Sequence, residues 1–219
     1  SGLPEDLKAD GRALADRVIE AWTGNDDVQA LMGMEPSGDK NSPEFARRMD
    51  LLGSAVAALA SAFGYRPNAV SLEPAPAGIL SDKTVAGTKV EKRKGRRVRV
   101  IYFRPEVFAQ RDSKKLLATI AHEFIHILQR ANQDARIREL IDPTSPTRPS
   151  KFEGAIGTSW GNVIFNNYQV AAAIGADEFF RIRSSSGQVG YLHRWDEQQA
   201  HLTESLVWSA INDNPNVFD

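Results

Sequence analysis

Hydrophobic residues in the first third of the chain recur at helical spacing in two segments. In residues 4–22 the apolar positions fall three or four apart, as on one face of a helix. A second segment, residues 42–64, opens with a Ser-Pro pair that suits a helix cap followed by the first helical turn. The intervening residues 23–41 are rich in Gly, Asp, Asn and Ser and predict a loop. We therefore expect a helical region over residues 1–80.

The pattern changes to that of β-structure after residue 80. Residues 85–90 and 98–103 are rich in β-branched and aromatic side chains, and a Lys-Gly pair lies between them. This arrangement predicts a β-hairpin, with Pro105 ending its second strand. The preceding residues 66–80 contain several prolines and glycines and are expected to cross the surface.

A long amphipathic helix is predicted from residue 113 to about residue 133, with Asp112 as its cap. Its apolar stripe consists of Leu116, Leu117, Ile120, Ala121, Phe124, Ile127 and Leu128. Beyond it, the sequence predicts a loop at 142–150, helices near 152–158 and 166–183, a break at 184–187 and a last helix at about 195–211. The pattern favours an α+β fold that is mainly helical, with a small sheet ahead of the long helix. We expect the chain to form either two regions, residues 1–80 and residues 81–219, or a single domain.

Composition and charge narrow the classes of function. The chain has 219 residues and a net charge of −1, so its global charge predicts no affinity for nucleic acid or anionic membranes. It contains no Cys, which excludes disulfides and thiolate metal sites, and no apolar run long enough for a membrane span. The opening pair Ser1-Gly2 is typical of a cleaved expression tag, which favours a domain taken from a longer protein and leaves targeting open.

His122, Glu123 and His126 form the pattern His-Glu-x-x-His in the middle of the long predicted helix. Residues four apart lie on one face of a helix, so both imidazoles can point at one metal ion. Glu123 is offset by about 100°, where it can reach a water molecule on the metal and act as its base. Apolar positions flank all three residues, and a metal ion would offset the cost of burying them. We therefore expect a zinc (Zn²⁺) site with Glu123 as the catalytic base.

A catalytic zinc ion needs a third protein ligand, with one position left open for water. The class of zinc peptidase in which a Gly and then a third His follow the His-Glu-x-x-His pattern is excluded, because Gln129 and Asn132 stand at those two positions. A class with the motif Gly-Thr-x-Asp is matched only in part by residues 157–160, which lack the Asp. The remaining class takes a Glu from a second helix, which directs attention to the last predicted helix.

That helix offers Glu197 as the expected third ligand. His193 and His201 lie four residues on either side of it, and the three share one helix face if the helix begins early enough to include His193. We expect His201 to orient a ligand by hydrogen bonding and His193 to stabilise the oxyanion, a role also open to Tyr191 and Tyr168. Each of these His and Tyr residues has an ordinary structural role as its alternative. The rival third ligands are, in falling order, His201, His193, Glu153 and Asp196.

The segment 121–129, Ala-His-Glu-Phe-Ile-His-Ile-Leu-Gln, resembles the zincin metallopeptidases. The fit is best to the gluzincins, and more narrowly to metallopeptidase domains of bacterial polymorphic toxins and of proteins associated with contractile injection systems. The resemblance implies a zincin-like catalytic domain over residues 81–219 that cleaves a protein of a target cell after secretion or injection by a bacterium. The spacing of Glu197 from His126 departs from the thermolysin-type pattern, which keeps the rival ligands open.

Two expectations about binding concern the predicted hairpin. In enzymes of this kind an exposed sheet edge binds the substrate as an added strand, so a peptide is expected along residues 98–103. Residues 89–99 also carry seven Lys and Arg residues, which is typical either of a phosphate-binding patch or of a solvated strand edge protected by charge. The near-neutral chain and the lack of a nucleic-acid motif favour the solvated edge.

Two further classes of function fit some of these residues. A zinc-binding scaffold without catalysis is disfavoured by Glu123, because a purely structural site has no need of a base there. A zinc hydrolase of a non-peptide amide fits the same residues as a peptidase does.

Overall fold

The computed structural model describes residues 5–131 and 195–219 of the chain. In these ranges the helices are α1 (Glu5–Trp22), α2 (Asp26–Met32), α3 (Pro43–Ala62), α4 (Pro105–Gln110), α5 (Ser113–Ala131) and α6 (Trp195–Asp213). The strands are β1 (Val70–Pro74), β2 (Ala86–Arg93) and β3 (Arg96–Phe103). The predicted α+β class, mainly helical with a small sheet ahead of the long helix, is confirmed at this level.

The chain divides into two compact units. One consists of Ser1–Asp16 and Ile125–Asp213, and the other of Arg17–Phe124 and Asn214–Asp219. Helices α1 and α5 each continue through a boundary between the units as unbroken helices. No helix in the described ranges has both the length and the apolar character needed to cross a membrane. The predicted loop 142–150, helices 152–158 and 166–183, and break 184–187 lie outside the described residues.

Helices α1 and α3 form where the hydrophobic spacing predicts them. The Ser42 side chain accepts a hydrogen bond from the Phe45 amide at 3.0 Å, and Pro43 occupies the first turn of α3. Both residues suit a helix start, where amide groups lack partners within the helix. The apolar face of α3 buries Leu52, Ala55, Val56 and Leu59.

The short helix α2 forms where the sequence predicts a loop. The Asn25 side chain accepts hydrogen bonds from the amides of Asp27 and Val28, both at 3.0 Å. Asp26 and Asp27 lie in the first turn, where negative charge interacts favourably with the helix dipole. Val28 and Leu31 are buried, so the packing of two apolar residues and a well-made cap hold a helix whose sequence otherwise suggests a loop.

The predicted hairpin is confirmed as β2 and β3, which pair antiparallel through the register Ala86↔Phe103 to Arg93↔Arg96. Lys94 and Gly95 form its two-residue turn with φ values of 48° and 76°. A turn with two positive φ values matches the twist of the flanking strands and accounts for the glycine. Residues 66–80, expected to cross the surface, contain strand β1, which pairs in parallel with β3.

Strand β3 occupies the centre of the sheet, in the order β1-β3-β2. Between Arg99 and Phe103 it pairs with β1 on one side and with β2 on the other. No edge of β3 is therefore free along this stretch to take up the substrate strand that the sequence suggested at 98–103. Along residues 99–103, a strand added to this sheet would have to pair with β1 or β2.

Aromatic packing joins the sheet to the segment that leads into α5. The rings of Phe103 and Phe108 stack with 4.7 Å between their centroids, and Phe45 of α3 meets Phe103 edge-on at 6.5 Å. Pro105 follows the end of β3, as predicted, and also begins α4, a helix that the sequence did not indicate. The chain thus turns from β3 through α4 directly into α5.

Candidate metal centre

Helix α5 carries the His-Glu-x-x-His pattern and begins as the sequence predicts. The Asp112 side chain accepts a hydrogen bond from the Lys115 amide at 2.8 Å, which caps the helix start. All seven residues of the predicted apolar stripe are buried: Leu116, Leu117, Ile120, Ala121, Phe124, Ile127 and Leu128. This burial holds the middle of α5 in the interior of the protein.

The three residues of the pattern are buried with the helix that carries them. The exposed fractions of His122, Glu123 and His126 are 4%, 7% and 8%. His122 and His126 lie four residues apart on one unbroken helix, so their side chains leave the same face. The placement on a buried helix, inferred from the apolar neighbours in the sequence, is what the structure shows.

Helix α6 supplies a second pair of buried polar residues. His201 and Glu204 are 1% and 0% exposed, and His201 Nδ1 lies 3.1 Å from Glu204 Oε2. Close packing holds this helix against α1, because a β-carbon at Gly11 would lie 2.7 Å from Leu202 Cδ2. Only glycine permits that approach without a shift of the leucine side chain.

His122, His201 and Glu204 offer ligand atoms that all lie within 4.8 Å of one another. In a tetrahedral zinc site with ligand distances near 2.1 Å, ligand atoms are about 3.4 Å apart, so small side-chain movements would bring these three to a common ion. Two imidazoles and one carboxylate are the donor set of a known type of catalytic zinc site. The residues therefore fit a zinc ion. Among the described residues, His126 is not a member of this cluster.

The remaining predicted site residues are not described. Glu197 and Asp196 belong to the backbone of α6, but their side chains lie outside the described part of the chain. Also outside it are His193, Tyr191, Tyr168 and Glu153. Glu197 as third ligand and His193 or Tyr191 as oxyanion donors stay predictions.

The sequence reasoning did not consider Glu204. It lies three residues after His201, on the adjoining turn of the helix, and seven residues after Glu197. Seven residues return to nearly the same helix face, so Glu204 shares the face that was predicted for Glu197 and His201. The same face, continued by two turns beyond Glu197, reaches Glu204 and is the signal in the sequence that points to it.

Comparisons with protein-family models, with curated proteins and with solved structures give no match to this chain.

Proposed function

We propose that this chain is a zinc-dependent peptidase. The observation that supports it most is the buried cluster of His122, His201 and Glu204, whose ligand atoms lie within 4.8 Å of one another. Glu123 follows His122 directly and is itself buried. A structural zinc site has no use for a carboxylate at this position, whereas a hydrolytic site needs one as its base.

His122 and Glu204 are proposed as two of the zinc ligands. His126 is proposed as the third, because its spacing places it on the same face of α5 as His122. His201 lies 3.1 Å from the Glu204 carboxylate through Nδ1, a contact typical of a residue that orients a ligand. The orienting role predicted for His201 is retained, and the carboxylate that it orients is proposed to be Glu204.

Glu123 is the proposed catalytic base. When bound, zinc would polarise the carbonyl of the scissile bond and make a water molecule more acidic. Glu123 takes the proton of the attacking water and later delivers it to the leaving amine. Its low exposure of 7% keeps the carboxylate away from bulk water, which strengthens its electrostatic interactions. His193 or Tyr191 is proposed to donate a hydrogen bond to the oxyanion.

The resemblance of residues 121–129 supports a more specific proposal about biology. It favours a bacterial toxin or effector domain that is secreted or injected and cleaves a protein of the target cell. The alternative within the same chemistry is a zinc hydrolase of a non-peptide amide, because the site residues act on any polarised amide carbonyl.

Mapping of new peptide termini in a cell lysate tests the activity with three forms of the chain: wild type, Glu123→Gln and Glu44→Gln. Glu44 is exposed in the first turn of α3, so its substitution removes a carboxylate without changing α5. We expect new termini with wild type and Glu44→Gln, and none with Glu123→Gln, whose zinc content should be unchanged. Cleavage absent from a zinc-loaded wild type would leave the amide alternative, and wild type without stoichiometric zinc would contradict both.

Zinc content of single variants tests the ligand assignment. Glu204→Gln and His126→Gln are expected to lose bound zinc, because each removes a proposed ligand. His201→Gln should weaken zinc binding by about 10- to 100-fold, as loss of an orienting partner does. Glu197→Gln is the matched variant on the same helix face, and loss of zinc from it but not from Glu204→Gln would assign the carboxylate ligand to Glu197.

A further inference from the structure

The end of the hairpin extends beyond the rest of the sheet. Strand β1 pairs with β3 only between Arg99 and Phe103, whereas β2 and β3 remain paired to Arg93↔Arg96. Residues 91–98 therefore form a two-stranded ribbon, closed by the Lys94-Gly95 turn. At about 3.3 Å per residue, the ribbon projects roughly 10 Å beyond the last pair with β1.

Cations are paired with cations across this ribbon. Lys92 lies directly opposite Arg97, and Arg93 lies directly opposite Arg96. Successive residues of a strand point to opposite faces, so one of these pairs lies on each face of the ribbon. Like charges directly opposite one another destabilise a sheet, so the arrangement costs folding free energy unless an anion lies between them.

Only one of the four cations is neutralised by neighbouring carboxylates. Arg93 donates to both oxygens of Glu73, at 2.6 and 2.9 Å, and to Glu91 at 2.9 Å. These bonds raise the pKa of the Arg93 guanidinium. Within the described residues, no ion pair involves Lys92, Arg96 or Arg97.

A concave surface lies beside the ribbon. A cavity of about 860 Å³ is bounded by the ribbon and by the turn at residues 66–69, which precedes β1. Its lining includes Arg66, Lys94, Arg96 and Arg97, all of them exposed, and no acidic residue. Protection of an exposed strand edge accounts for cations on either strand of the ribbon, but it does not account for Arg66, which lies in the turn before β1 and lines the same cavity.

We propose that this ribbon enters the major groove of double-stranded DNA and that the cavity holds the sugar-phosphate backbone of one strand. The major groove of B-DNA admits a two-stranded β-ribbon. Cations on both faces and at the tip would then meet the phosphates on both sides of the groove, and arginine suits phosphate geometry. A membrane surface would meet only one face of the ribbon, and the tip carries no aromatic anchor. The contacts are to phosphates, so binding should be independent of sequence.

Fluorescence anisotropy of a labelled 20-base-pair duplex, titrated with the full chain, tests the proposal. Five phosphate contacts, from Arg66, Lys92, Lys94, Arg96 and Arg97, predict a slope of log affinity against log salt of about −4.5. Between 50 and 200 mM salt, affinity should fall by about 500-fold. The variant R66Q/R96Q/R97Q should bind at least about tenfold more weakly at 50 mM, with a slope near about −1.8.

The matched control is R12Q/R47Q/K83Q, which also removes three exposed cations but leaves the ribbon unchanged. It should keep the wild-type slope, and both variants should keep the wild-type circular dichroism spectrum. Relief of the Lys92–Arg97 repulsion predicts that R97Q alone melts no lower than wild type. The proposal is overturned if wild type does not bind the duplex at 50 mM, or if the control loses as much affinity as the ribbon variant. It is equally overturned if a single strand, polyglutamate or an anionic vesicle binds more tightly than the duplex.

Discussion

Arg48 offers a direct test of how the start of α5 is held in place. It is fully buried on α3, and Nη2 donates a hydrogen bond to the Arg111 carbonyl at 2.7 Å. Longer contacts reach the Phe108 carbonyl at 3.5 Å and the Ser113 hydroxyl at 3.4 Å. Phe108 belongs to α4, and Ser113 is the first residue of α5. One side chain therefore joins α3 to the junction from which α5, the helix that carries His122, begins.

The cost of Arg48→Met follows from these distances. Only the 2.7 Å contact has near-ideal length, and a hydrogen bond from a charged group contributes about 1.5–3 kcal/mol. The two longer contacts are at the distance limit and contribute little. Burial lowers the pKa of Arg48, which shows that its charge is held in the interior at a cost that methionine avoids. The net expectation is a loss of about 2 kcal/mol in the free energy of unfolding.

Urea unfolding of wild type, Arg48→Met and Arg47→Met measures this loss. Arg47 is the exposed neighbour on the same helix, and surface substitutions usually change stability by less than about 0.5 kcal/mol. We expect Arg48→Met to lower the midpoint with an unchanged slope against urea, and Arg47→Met to leave both unchanged. Equal midpoints for the two variants would show that the buried guanidinium contributes nothing net, and the reasoning from its contacts would be refuted.

Three further predictions test other parts of the structure. Trp22→Phe removes the 3.0 Å hydrogen bond to the buried Ala55 carbonyl and should lower the free energy of unfolding by about 1–3 kcal/mol in urea. Hydrogen bonding to Arg93 lowers the pKa of the Glu73 carboxyl group below its ordinary 4.5. The stability that this contact adds to the fold is therefore present above pH 4.5, and it is lost as the pH falls through the lower pKa of the folded state. When the pH is lowered from about 5 to about 3, the melting temperature of Glu73→Gln should therefore fall by less than that of wild type. Added zinc should raise the melting temperature of wild type more than that of His201→Gln, as a thermal shift assay would show.

The elements that the sequence predicts correctly have strong local signals. Helix α3 has a Ser-Pro start and a continuous apolar face, and α5 has a cap at Asp112 with a stripe of seven buried residues. The hairpin has a Lys-Gly turn between two β-rich runs. In each case the residues that decide the conformation are neighbours in the sequence, so spacing and turn chemistry suffice.

The elements that the sequence missed depend on distant partners or are very short. Strand β1 has five residues and exists because β3, far along the chain, pairs with it in parallel. Helices α2 and α4 have seven and six residues, too few to show a periodic pattern. Two buried side chains hold α2, and α4 packs through Phe108 on Phe103. The local amino-acid composition does not indicate such contacts, because the partners lie elsewhere in the chain.

The candidate site shows the same limit at the scale of one helix. Helical spacing puts His201 and Glu204 on the face predicted from Glu197. Residues 200–205 of α6 are all buried, so burial alone does not distinguish that face from the others. The position along the axis depends instead on how the helix packs, which periodicity does not encode. Glu197 and Glu204 are seven residues apart, or about 10.5 Å along the axis. The 4.8 Å cluster of His122, His201 and Glu204 favours Glu204.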